Sequence, residues 1–230
     1  MRLSARYVAG LLHPRRAHAR RLPERVSPTW HILPVEQRGT ATKGLKGLHH
    51  KGAEMTTRHI YVDETKARGY VVVASNHLGH EVDKVRKELR TLVLRGQSRI
   101  HMAKENDSRR KAIIDILVAA SVTATVYDAD HRYRDDRDAR TACLQAIIND
   151  VDPSQPALLV IEQDDSLIHS ERQQLVEMVR AAGRRGTLHY QHHRAKSELM
   201  LAIPDAIAWC WAKGGDWRRR VSPITTVKQV

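Results

Sequence analysis

At 230 residues, 41% hydrophobic and 28% charged, the chain has room for one globular core plus an extension, and no apolar run approaches the roughly 20 residues that cross a bilayer. Two cysteines far apart, Cys143 and Cys210, make neither a disulfide framework nor a metal-ligand spacing, and read as buried thiols in a reducing cytoplasm. The formal charge of +13 invites a polyanionic partner, yet eleven Lys and Arg against Glu24, Glu36 and Glu54 place more than half of it in residues 1–54.

Those first 54 residues carry Pro14, Pro23, Pro28 and Pro34, then Gly39, Gly44, Gly47 and Gly52, without sustained periodicity, and read as a disordered basic extension. The Arg-rich, acid-poor opening is loosely like an organelle transit peptide, but patterned sequence follows Met55 at once, so Met55 is read as a natural start. From Arg58 the run HIYVD, the turn KARG and the β-branched run YVVVASN form a hairpin. Val82, Val85, Leu89, Leu92 and Val93 recur at helical spacing and predict a helix over 80–95 that stops at Gly96. A short strand RIHM follows, then a helix over 108–120 with Ile113, Ile116, Leu117 and Ala120 on one face. The pattern continues as strand 123–127, helix 137–149, the fully apolar strand 157–161, helix 170–182 and strand 187–191. An Ala- and Trp-rich helix then ends at Gly214 and Gly215. An opening hairpin followed by alternating strands and helices predicts an α/β domain over 55–218, with a mixed sheet antiparallel at its start and mainly parallel later, and a tail over 219–230.

Three strands end in acid: β-patterned segments close on Asp63 and Glu64, on Asp128, and on Glu162, with Asp164 and Asp165 just beyond. Parallel neighbours would bring these carboxylates to one edge of the sheet, where α/β sites gather. Asp205 follows Pro204 near the start of the last helix, where the dipole favours an ionised carboxylate, and Glu198 could approach the same edge. Oxygen ligands without Cys suit Mg²⁺ or Mn²⁺, and two such ions can clamp the oxygens of a phosphodiester. Acids after strands are also common turn residues and caps, which is the reading for any one of Asp128, Asp164 and Asp165. Asp63 differs because it interrupts an apolar strand. Adjacent strand residues face opposite ways, so Asp63 and Glu64 cannot both point into one site.

The segments IYVDET, RIHMAKENDSRRKAI, TVYDADH, LLVIEQDDS and SELMLAIPDAIAWCW, in that order, resemble the bacterial family known as domain of unknown function 3800 over about residues 57–215. The resemblance implies a ribonuclease H-like three-layer fold with a mixed sheet, an opening β-hairpin and helices on both faces. It also implies a metal-dependent nuclease or phosphodiesterase acting on RNA or DNA, with Mg²⁺ or Mn²⁺ held by Asp63, Glu162 and Asp205 and supported by Glu64 or Asp128. The chain departs from the family pattern in Ile203-Pro204 before Asp205, in Met200 where Gln is common, and in Glu162 where Asp is usual. These departures favour the alternative, an inactive module of the same fold that binds nucleic acid or protein.

His101 and Lys104 are candidates for phosphate contact or proton transfer. Trp209 is expected in the core, and Arg218, Arg219 and Arg220 as an exposed phosphate contact. The pairs His49-His50 and His192-His193 lack partners at zinc spacing and read as exposed loop histidines. No Gly-rich phosphate loop is present.

Overall fold

The structure, a computed structural model, describes residues 57–230. The expectations for the extension 1–54 and for His49-His50 lie outside the described residues. In chain order the elements are β1 (Arg58–Thr65), β2 (Tyr70–Leu78), α1 (Gly79–Thr91), α2 (Asp107–Ala119), β3 (Thr123–Asp130), α3 (Asp136–Asp150), β4 (Ala157–Glu162), α4 (Ile168–Ala181), β5 (Leu188–His193), α5 (Ala202–Lys213), α6 (Gly215–Val221) and β6 (Thr225–Gln229). The sheet order is β5-β4-β1-β2-β3-β6. Both β1 and β3 pair antiparallel with β2, while β1 with β4, β4 with β5, and β3 with β6 are parallel, so β2 alone runs against the rest. Gly69, at φ +79, makes the turn of the opening hairpin; a Cβ there would lie 2.9 Å from the Cα of Asp130, so the close passage of β3 requires glycine.

Strand alternation divides the core in two. Tyr61, Val71, Val73, Val126 and Val160 face α1, α2 and α5. Ile60, Val62, Val72, Tyr127, Leu159 and Ile161 face α3 and α4. Each layer buries the apolar stripe that the sequence displays, such as Val82, Val85 and Leu89 of α1. Asn106 and Asp135 start α2 and α3 by accepting backbone N–H groups three residues on, at 3.0 and 2.9 Å.

The departures have local causes. The helix expected to reach residue 95 ends at Thr91, and the following turn is held by the Gln97 side chain, which accepts from Leu94 N at 3.1 Å. The RIHM segment is extended and then turns into a 3-10 helix at Met102–Lys104. Ile100 and Met102 are buried with period 2, as in a strand, but their backbone meets side chains from helices: Met102 N donates to Asp205 and Met102 O accepts from Arg110. The expected tail instead forms α6 and β6, the latter completing the sheet beside β3. His192 lies on β5 with its side chain only 2% exposed, contrary to the exposed loop expected for it.

On the α3/α4 side Arg140, itself buried, ion-pairs with Glu64 and with Glu171, and His192 Nε2 lies 2.7 Å from Glu171. Burial pushes the Glu171 carboxyl up, but the hydrogen bonds from His192 and Arg140 outweigh it and hold the group below its ordinary value. Removing one partner of such a network strands a buried charge. Arg140→Leu is therefore expected to lower stability by roughly 3–5 kcal/mol, read from urea unfolding with the slope unchanged.

Candidate functional site

The site forms where β1 and β4 end side by side. Val62 lies opposite Ile161, so the next residues, Asp63 and Glu162, fall on the face shared by Tyr61 and Val160, beneath α5. Asp205 enters from the first turn of α5. Asp63 is 8% exposed in an apolar strand, and its carboxyl is held well above the usual aspartate range. Burial is the largest cause, followed by the charges of Glu162 and Asp205 and a hydrogen bond shared with Glu162. Asp63 thus lies within electrostatic reach of both Glu162 and Asp205.

Each of Asp63's neighbours is balanced from outside the strands. Arg99 Nη1 pairs with Glu162 Oε1 at 2.9 Å. Asp205 accepts from Met102 N at 2.8 Å and lies 3.3 Å from His101 Nδ1. Among the described residues Asp63 has no such cation. A buried carboxyl flanked by two others, all oxygen donors, fits a hard divalent ion by chemistry. Among the described residues no group of three or more His, Cys, Asp or Glu stands in a metal-holding arrangement, and Arg99 holds Glu162. Ligation would require Arg99 to give up that oxygen.

The other candidates stand elsewhere. Glu64 points to the opposite face, as alternation requires, and is neutralised by Arg140. Asp128 lies beyond β2 and accepts from Asp130 N at 3.0 Å and from the Gln229 side chain at 3.4 Å. Asp164 caps its own turn through Ser166, and Asp165 pairs with Arg194. Glu198 binds Arg86 and caps Met200 N. His101 is at the site through Asp205, with exposed Lys104 three residues on. Arg218 stacks over Trp211 at 3.3 Å from the ring centroid, while Arg219 and Arg220 both pair with Asp216. Trp209 is partly buried against the core, with Arg110 over its ring and Trp217 at its edge. Sequence reading missed Arg99: its only signal was a cation one residue before buried Ile100.

The sheet order with β2 alone reversed, and helices on both faces, is the ribonuclease H-like three-layer arrangement expected from the motifs. No family model matches the chain, and no curated protein matches it in sequence. Among solved structures it is similar to Bst-RNase HIII in a complex with Mn²⁺, at 17% identity and a TM-score of 0.44 over 67% of this chain and 51% of that one. It is also similar to RNase HII from Archaeoglobus fulgidus, solved with PCNA, at 13% identity and a TM-score of 0.46 over 69% of this chain and 73% of that one. A mutant of Bst-RNase HIII gives 16% identity and a TM-score of 0.44 over 74% and 58%. The chain thus spans about half the length of the first of these, and the three are likenesses in the course of the chain alone.

Because the folded-state pKa of Asp63 is raised above 3.8, its contribution to stability is full below that pH and is lost as pH rises through the raised value. In chelator-treated protein, Asp63→Asn is expected to raise the melting temperature by a few degrees near neutral pH. That advantage should shrink as the buffer is taken down toward pH 4. Equal melting temperatures for parent and variant at every pH would contradict the burial of this charge.

Proposed function

We propose that the chain is a metal-dependent phosphodiester hydrolase acting on RNA or DNA. The observation that carries this reading is the convergence of Asp63, Glu162 and Asp205, from two strand ends and a helix start, with the Asp63 carboxyl buried among like charges. Membership of the domain of unknown function 3800 family is proposed on the ordered motifs alone. Asp63, Glu162 and Asp205 would hold Mg²⁺ or Mn²⁺, which when bound supplies charge neutralisation at the phosphodiester and an acidified water.

The chain's own residues do the rest. Asp63, fixed by strand packing, defines where the oxygen ligands sit. Asp205 is oriented by Met102 N and His101. With Nδ1 on Asp205, His101 keeps Nε2 for passing a proton to or from a water or a leaving oxygen. Arg99 shields Glu162 until a cation takes its place on the carboxylate or a phosphate draws the guanidinium away. The alternative, a module that binds nucleic acid without cutting it, is favoured by that same ion pair, in which a guanidinium fills a cation's role.

The test is calorimetric titration of the full chain with Mn²⁺ and Mg²⁺, beside cleavage assays on RNA and DNA oligonucleotides. Metal-dependent heat and cleavage are expected in the parent. In Asp63→Asn, metal affinity should fall by more than the roughly 10–100-fold that follows loss of a mere outer partner of a ligand. No metal-dependent heat in the parent would sink the hydrolase reading.

A further inference from the structure

Three depressions adjoin beside the carboxylates. The acidic cleft is lined by Asp63, Glu162, Gln163 and the Asp164–Asp165 turn. Glu162 and Gln163 are also one wall of a second depression, whose other walls are Ser98, Arg99, Arg194 and Lys196. Ser98 and Lys196 in turn line a third, reaching α1 at Arg86 and Arg90 and bounded by Glu198. The shared walls make one trough that leaves the acidic cleft and runs toward α1. The second and third depressions measure about 270 and 310 Å³. That is at or below the small end of the roughly 300–1,000 Å³ typical of pockets for small molecules, so the trough suits a chain lying along it.

Its charge points the same way. Arg86, Arg90, Arg99, Arg194 and Lys196 face only two carboxylates in its walls, Glu162 and Glu198. Arg86 is committed to Glu198 and Asp83, and Arg194 to Asp165. Arg90 and Lys196 are exposed, and among the described residues neither has a carboxylate at ion-pair distance. A site built of three carboxylates repels a polyanion, so any phosphodiester drawn to it needs cations close by.

We propose that this trough binds the sugar-phosphate backbone of the nucleic-acid strand adjoining the bond to be cut, with Arg99, Lys196 and Arg90 on its phosphates. The inference rests on the hydrolase reading and adds where the substrate lies. It also gives Arg99 a second position: moving from Glu162 to a phosphate, it frees a carboxylate oxygen. Strand and divalent ion then favour each other's binding by the same factor, as linkage requires.

Fluorescence anisotropy of labelled single-stranded ribo- and deoxyribo-oligonucleotides, titrated with the full chain in EDTA over a range of salt, tests the trough without cleavage. The double variant R90E/K196E reverses two exposed charges and should keep the parent's circular dichroism and melting temperature. Its binding is expected to fall at least about tenfold, and its salt slope by about 1.4, since each lost phosphate contact on a single strand removes about 0.7. R172E/R180E, which makes the same reversal on α4 across the sheet, should bind as the parent does. The two oligonucleotide arms report which sugar is preferred. Unchanged binding in R90E/K196E, or equal losses in both doubles, would overturn the proposal. Mn²⁺ calorimetry separates the two readings: strand binding through the trough without metal-dependent heat defeats the hydrolase and leaves the trough, and metal-dependent heat with R90E/K196E binding like the parent does the reverse.

Discussion

The burial of one carboxyl, that of Asp63, is the constraint around which the site is arranged. An apolar strand places it on the same face as Tyr61, under α5, where Glu162 and Asp205 already bring negative charge. Burial and like charge both disfavour its ionised form, so the metal-free site carries an electrostatic debt that a proton or a cation must cancel. The next residue, Glu64, meets the opposite fate on the opposite face, where Arg140 neutralises it permanently. Two adjacent acids thus have different chemistry because a strand alternates.

The contrast between the two arginines follows from their exposure. Arg140 is 4% exposed at its side chain and bridges Glu64 and Glu171 in the core; breaking that contact would strand charges with no water to receive them. Arg99 is 34% exposed at its side chain and holds a single oxygen of Glu162. That part-buried pair is more accessible to water than the Arg140 network, so in the proposed reading exchange of Arg99 for another cation, or of Glu162 for a phosphate, costs less than breaking the Arg140 contacts. One arginine is a fixture of the fold, and the other is the one that changes partners in the proposed reading.

Much of this was legible in the sequence. The β-branched runs of the opening hairpin, the helical spacing of Val82, Val85 and Leu89, and the apolar strand before Glu162 each carry a period strong enough to place an element. Asp63 was legible because it breaks such a run, and Asp205 because it starts a helix. What escaped was set by partners distant in the chain. Ile100 and Met102 have the period of a strand, but nothing local says that a helix-borne carboxylate will take the backbone N–H of Met102. His192 looked like half of an exposed pair because Glu171, its partner, lies on a helix 21 residues earlier. β6 is mostly exposed on both faces, so it shows no apolar alternation, and the Gly214-Gly215 stop masked the short helix leading to it.

The residues that depart from the pattern of the proposed family each have a local setting in the structure. The Glu162 carboxyl both perturbs Asp63 and pairs with the Arg99 guanidinium. Ile203 and Pro204 fall in the first turn of α5, where proline's missing N–H is no loss, and Ile203 is buried in the core. Asp205, just beyond them, perturbs Asp63 and is oriented by Met102 N. Met200, fully buried beside α5, packs where a polar side chain would need a partner. Packing thus accommodates Met200, Ile203 and Pro204. Against the proposed catalysis stand the Arg99 pair, which a strand in the proposed trough would itself dissolve, and the lack, among the described residues, of a ready-made metal-holding group.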